Sequence, residues 1–256
     1  MAAQKIESVA KALTILMLFK MNKDEWGVSE IARELDMQKS TVFRLLATMQ
    51  DYGFVRKGDN NTYRLGLRVL ELGSIVANTF NFRDVTGIYL RRVSEQCGET
   101  VHLGILDDCE AMSIETVEAQ NTLKSTIVVG KRTPLYCTSV GKAILAFLPE
   151  DERNAIIHKI TFHKFTDNTI TDANALIEEL NVTRERGYAL DNSEHELGVR
   201  CVAAPIWDHT GRVLASLSIS GPSVRITEDR IPELSQLVLK ATQEISRELG
   251  ARRVIS

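Results

Sequence analysis

LSIS at residues 217–220 sets two hydroxyls, Ser218 and Ser220, two residues apart. On an extended strand that spacing puts both side chains on one face. RCVAAP at 200–205 adds the thiol of Cys201 from a strand that the turn at Asp208–Gly211 pairs with the serine strand, and YALDN at 188–192 brings Asp191 just ahead of it. Small polar groups on a face otherwise lined by Val, Ala and Leu are what a pocket for a small hydroxylated or carboxylated molecule requires. The loop GKRTPLYCTSVGKA, starting at Gly130, offers the backbone amides of Gly130, Lys131 and Arg132 to a carboxylate, with two cations beside them. The plainer alternative is that the serines are solvated and the Cys201 thiol is core packing.

Other chemistries fit less well. Cys201 could act as a nucleophile with His195 or His209 as base, but no helix-start cysteine or G-x-S-x-G turn supports it, and an enzyme is not expected. His158 and His163 are five apart, which misses the helical spacing of three or four, and His102 stands alone on a strand, so no metal site is expected. The four cysteines, Cys97, Cys109, Cys137 and Cys201, form no C-x-x-C pair and read as free thiols. GKA at 141–143 lacks the preceding glycine of a phosphate loop, and no cofactor is implied.

A second group of residues suits a different task. Val42, Leu45, Leu46 and Met49 recur at helical spacing and predict a helix packed on a core, whereas Lys39, Ser40, Thr41 and Arg44 open the same helix on an outward stripe. A DNA-reading helix needs such a front: Arg44 is long enough for a bidentate contact to guanine, and hydroxyls and helix N-terminal amides suit phosphate. Arg56, Lys57 and Arg64 decorate the following hairpin. On the alternative reading Ser40 is only an N-cap and Arg44 only a solvated charge.

These groups need elements to hold them. Ser8 predicts the cap of a helix running to about Lys20, SEIAREL a second helix, Asp36–Lys39 a tight turn, and Ser40–Asp51 a third helix ended by Gly53. FVRKGDNNTYRL has hairpin composition, with Asn and Gly between short alternating runs. Three helices and a hairpin make a winged helix-turn-helix, expected over residues 1–66. LRVLELGSIVANTF predicts a linker helix over 67–82, with Leu67, Leu70, Ile75 and Val76 available for packing. From 83 to 256 the pattern mixes helices with strands at ETVHLGIL, AMSIETV, LKSTIVV, YALDN, VRCVAAPI and RVLASLSIS. Tight turns between consecutive strands imply an α+β fold with helices on a mainly antiparallel sheet. The lone Trp26 reads as loop packing.

The formal charge of −3 does not by itself suggest a nucleic-acid binder. Residues 1–75 carry eleven Lys and Arg against nine Asp and Glu, a balance of +2, which leaves −5 for the remainder. With 44% hydrophobic residues the chain can fill a proper core. No apolar run approaches the ~20 residues that span a bilayer, and MAAQKIESVAKAL lacks the features of a secretory signal, so a cytoplasmic protein without a membrane partner is expected.

Taken together, SEIARELDMQKSTVFRLLATM, GFV and YRLG, followed by PLYCTSVGKAILA, RERGYALDNSEHELGVRCVAAPI and SLSISGP, resemble the IclR family of bacterial transcription regulators over nearly the whole chain. The resemblance implies a winged helix-turn-helix joined by a linker helix to a GAF-like effector domain, working as a homodimer or dimer of dimers on double-stranded operator DNA. It implies a small organic-acid effector in a pocket matched here by Gly130, Lys131, Arg132, Asp191, Cys201, Ser218 and Ser220, and a repressor of a catabolic operon, with an activator of aromatic or other organic-acid catabolism as the alternative. ETVHLGILD and GKRTPLYCT look most like the subgroup governing pectin and hexuronate breakdown, which senses 2-keto-3-deoxygluconate. Arg132 stands where some members carry an apolar residue, which favours an acid longer or more charged than glyoxylate.

Overall fold

The computed structural model describes residues 6–20, 23–79 and 82–251, and the side chains of all of these except 76–79 and 82–85. The chain forms two compact units that divide between residues 81 and 82.

The first unit opens with α1 (Glu7–Leu16), β1 (Trp26–Gly27), α2 (Val28–Glu34) and α3 (Lys39–Asp51), continues through the hairpin β2 (Val55–Lys57) and β3 (Thr62–Leu65), and ends in α4 (Leu67–Thr79). Its core joins Ile15, Ile31, Val42, Leu46, Met49 and Val55 with the two rings of Trp26 and Tyr63. Three details differ from expectation. Ser8 caps nothing, because α1 begins at Glu7 after Ile6 with no side-chain cap. The helix also stops at Leu16: Leu18 and Phe19 donate to carbonyls only three residues back, and Lys20 and Lys23 then exchange backbone hydrogen bonds in a turn. The third is Trp26, whose ring is buried and whose indole donates to the Leu18 carbonyl at 3.1 Å. Its backbone adds a third strand to the wing, opposite Tyr63.

The helices α2 and α3 are joined by four residues, with Asp36 at φ +49° making the turn. Gln38, not Ser40, occupies the cap position of α3, and Ser40 is the second helical residue. Past the end of α3, Gly53 takes a positive φ of 74° as expected. In α4, Leu67 and Leu70 are exposed, and Val76 lies outside the described side chains.

The second unit contains α5 (Phe82–Cys97), β4 (Thr100–Asp107), β5 (Glu110–Val117), β6 (Arg132–Pro134), α6 (Ser139–Phe147), α7 (Glu150–Ile157), α8 (Ala173–Arg186), β7 (Ala189–Asn192), β8 (Val199–Trp207), β9 (Val213–Pro222) and α9 (Ile231–Glu248). The strands form one antiparallel sheet in the order β6-β5-β4-β9-β8-β7. Successive strand residues point to opposite faces. Val101, Leu103, Val202, Ala204, Leu217 and Ile219 therefore share one face with α5 and α9, through Leu90, Val93, Val238 and Ile245. On the other face Ala143 of α6 packs on Ala189 and Ala203, and α6 packs in turn on α8 through Ile144, Leu145, Leu176 and Leu180. This is the α+β architecture expected.

LKSTIVV is not a strand. Residues 118–131 form a strap held by side chains: Thr100 Oγ1 donates to the Ser125 carbonyl at 2.9 Å, Asn121 Nδ2 to Gly98 at 2.9 Å and Arg225 Nη2 to Leu123 at 2.8 Å. The sheet edge beside β5 goes to Arg132–Pro134 instead. The helix α7 was not anticipated.

Candidate nucleic-acid interface and effector site

In the first unit α3 buries Val42, Leu46 and Met49, which leaves Lys39, Ser40, Phe43 and Arg44 exposed and Thr41 half-buried. Lys39 and Ser40 share a shallow groove of about 440 Å³ with Phe43, Lys57 and Tyr63. Arg44 follows Ser40 by one helical turn and continues the same stripe. The hairpin register explains which basic residues join this groove. Lys57 sits opposite Tyr63 and turns with it toward α3, whereas Arg56 sits opposite Arg64 on the other face. Arg56 is exposed there, and Arg64 is held in an ion pair with Glu25, whose carboxylate also accepts the Thr62 hydroxyl at 2.9 Å. The structure thus groups Lys39, Ser40 and Lys57, with Arg44 beside them, and sets Arg56 and Arg64 apart.

In the second unit the sheet register assembles two polar rows on the face covered by α6. One row runs Asp191, Cys201, Ser220, Thr100, and the next Ala189, Ala203, Ser218, His102, Thr116. Asp191, Cys201, Ser218 and Ser220 are all buried within this arrangement. Ser218 Oγ lies 3.0 Å from Ser139 Oγ on α6 and 3.4 Å from Ser220 Oγ, so the hydroxyls form a chain from helix to sheet. Beyond Asp191, Lys142 of α6 is 1% exposed and pairs with Glu194 at 2.6 Å, with Glu179 at 3.6 Å. The backbone N–H of Glu194 donates to Asp191 Oδ1 at 2.8 Å.

Burial and then the Glu194 carboxylate push the Asp191 carboxyl up to about 7, against the opposing pull of backbone N–H groups and Lys142. The Cys201 thiol is likewise pushed above its ordinary range, first by burial and then by Asp191. A thiol held protonated is a poor nucleophile. His102 is pushed down to about 4 by burial, so its imidazole is neutral at pH 7.

The loop residues behave differently from expectation. The amide of Gly130 donates to the Ser113 carbonyl at 2.7 Å and that of Lys131 to Val128 at 3.1 Å, so both are already satisfied by main chain. Arg132 begins β6 at the edge of the sheet opposite β7, and its guanidinium pairs with Asp107. Burial, and then the charge of Lys131, hold the His195 imidazole below its usual range.

Sequence reasoning overlooked His102, Thr116, Ser139, Lys142 and Glu194 as members of this cluster. The alternation of Thr100, His102 and Gly104 along ETVHLGIL was the available signal, since it marks a polar face. A lysine in the apolar helix SVGKAILAF was another, because a buried ammonium requires a partner.

Residues 8–59 match the IclR helix-turn-helix domain, and residues 75–247 match the bacterial transcriptional regulator IclR C-terminal domain. Among curated relatives in Escherichia coli K12, the chain is 37% identical to the HTH-type transcriptional regulator XynR, over 96% of this chain and 98% of that protein. It is 36% identical to the HTH-type transcriptional regulator KdgR, over 96% and 93%, and 34% identical to the transcriptional repressor IclR, over 98% and 93%. The crystal structure of the Thermotoga maritima IclR superposes with a TM-score of 0.78 at 37% identity, covering 96% of this chain and all of that one. The chain therefore belongs to the IclR family of bacterial transcriptional regulators, which are DNA-binding proteins and not enzymes.

Proposed function

We propose that the protein is a cytoplasmic repressor of a catabolic operon that releases its operator when a small sugar acid binds the second unit. Residues 1–66 act as the winged reader, 67–82 as a linker helix and 83–256 as the GAF-like effector domain. A homodimer or dimer of dimers places two α3 helices in successive major grooves. Lys39, Ser40, Thr41 and Arg44 read or grip the groove, with Arg56, Lys57 and Arg64 on the wing. Of these, Arg64 acts by fixing the wing through Glu25. Asp191, Cys201, Ser218 and Ser220 hold the acid, with the loop Gly130, Lys131 and Arg132 on its flank.

The observation that carries this reading is the buried row of Asp191, Cys201 and Ser220 next to Ser218, in a unit separate from the exposed cationic stripe of α3. A cluster of small polar groups under a helix is suited to a small oxygen-rich ligand, and the ligand can act only by binding the DNA-competent and DNA-incompetent arrangements unequally. The likeness to the transcriptional repressor IclR supports the sign of regulation, and the resemblance of ETVHLGILD and GKRTPLYCT to the hexuronate subgroup supports the sugar-acid class.

Fluorescence anisotropy on a labelled duplex from upstream of the protein's own gene tests the proposal. Binding at nanomolar protein, released by 2-keto-3-deoxygluconate, is the expected result. Release by 4-hydroxybenzoate alone, or tightening on addition of the sugar acid, would replace it with an activator or an aromatic-acid sensor.

A further inference from the structure

The two polar rows contain a pair of side chains that the reading above leaves unused. His102 on β4 is 8% exposed, and its Nδ1 has no hydrogen-bond partner among the described residues. Thr116 sits directly opposite it on β5, and its Oγ1 is also buried without a partner. Both lie in the row that continues from Ser218, on the face covered by α6. A buried polar atom left unpaired is costly, and native folds seldom retain two side by side without a use.

We infer that His102 and Thr116 form a hydroxyl-reading subsite, which makes the effector a polyhydroxylated acid of hexose length rather than a short keto acid. This rests on the proposed sugar-acid function and narrows it. Strands lie ~4.8 Å apart, so Thr116 on β5 and Ser218 on β9, separated by β4, are roughly 10 Å apart across the sheet. A three-carbon acid anchored at Cys201 and Ser220 falls short of Thr116, whereas a sugar acid extended along the row reaches it. A neutral imidazole cannot serve as the counter-ion of a carboxylate, and burial keeps His102 neutral. It can donate to or accept from a hydroxyl, and so can the threonine. A ligand hydroxyl between them would satisfy both orphaned atoms at once. The carboxylate end falls to the Asp191, Cys201 and Ser220 row, where Ser220 and Cys201 can donate and so can Asp191 in its protonated form, which burial favours.

Isothermal titration calorimetry on the full chain, with 2-keto-3-deoxygluconate and pyruvate as probes, decides the matter. His102→Phe and Thr116→Val are each expected to weaken 2-keto-3-deoxygluconate binding tenfold or more and to leave pyruvate binding within twofold. His102→Asn, which keeps a hydrogen-bonding group, is expected to recover part of the loss. Equal losses for both acids would make the pair structural, and unchanged sugar-acid affinity in Thr116→Val and His102→Asn would remove it from the site. Either result overturns the subsite and leaves the sugar-acid function standing. If the parent protein binds neither acid, the function itself fails and the subsite falls with it. Should His102→Phe not fold, Thr116→Val together with the ¹⁵N shift of the His102 imidazole nitrogen Nδ1 gives the same answer, since that shift is expected to move with 2-keto-3-deoxygluconate and not with pyruvate.

Discussion

The two units dispose of their polar groups in opposite ways. In the reader the buried residues are apolar or aromatic, and the cations Lys39, Arg44 and Lys57 stand in solvent. The nearest exception is Arg64, whose Nε is covered. In the second unit, among the described residues, all the fully buried polar and charged side chains are found, from Thr86 to Ser246. The difference follows from the partner each unit must meet. A phosphate backbone is met at a surface by long cations whose grip depends on salt. A small molecule is met in an interior, where each hydrogen bond is strong because water is excluded, and where an unmet group is costly. Breaking an ion pair should therefore cost little folding stability in the first unit and much at the buried Lys142–Glu194 pair of the second.

The largest effect should come from Lys142. Lys142→Ala leaves Glu194 buried without its cation, and urea unfolding is expected to show a loss of about 3–5 kcal/mol. Lys142→Met combined with Glu194→Gln should recover most of it. A neutral Lys142→Ala would erase the contrast between the units.

An intermediate effect belongs to Asp191 and depends on pH. Its carboxyl sits at about 7 in the fold against an ordinary value of 3.8, so the folded protein keeps a proton that the unfolded chain releases. The stability this contributes is present below pH 3.8 and is lost as pH rises through 7. His102 contributes with the opposite sign, since its folded value of about 4 lies below 6.5: its share is present above pH 6.5 and lost as pH falls through 4. Asp191→Asn should accordingly be more stable than the parent at pH 8, by on the order of 3 kcal/mol, and should flatten the alkaline side of a melting-temperature profile. The charged groups facing Asp191 are Glu194 and Lys142, and an unchanged profile would mean that they already compensate its ionisation.

The smallest effects on folding, and the clearest on DNA, belong to the reader. Arg44→Ala should cost ~1–3 kcal/mol at a specific operator and relax preference at one base pair, with no change in melting temperature. Lys57→Ala should weaken all duplexes alike, by less than about 1 kcal/mol, and lower the slope of log affinity against log salt by roughly one. Equal responses in the two variants would show that α3 grips without reading.

Much of this was written locally in the chain. The 3.6-residue period of Val42, Leu46 and Met49 announced α3, and the two-residue period of Ser218 and Ser220 announced one face of β9. Cys201 could be added because a short turn fixes the register of β8 and β9. His102 could not, since its place opposite Ser218 depends on pairing between segments more than a hundred residues apart, and no local pattern encodes that register. LKSTIVV failed for the converse reason: it has strand composition, but Thr100, Asn121 and Arg225 hold its backbone in a strap. Trp26 was legible as packing and not as a strand, because two residues are too few to show a period.

The seating of α6 bears on how such a sensor can be re-purposed. A side chain at Gly104 would bring a Cβ within 2.6 Å of Val140 Cγ1, and one at Gly141 within 2.4 Å of the Leu135 backbone. α6 is seated closely on the sheet at Gly104 and on its own preceding loop at Gly141, so a side chain at either position would force the helix to shift. On the proposed reading, new ligand preferences come from exchanges at Thr116, His102, Ser218 and Cys201 rather than from a shift of the helix. For directed evolution of a biosensor, a small saturation library at those positions should outperform random mutagenesis of the whole domain.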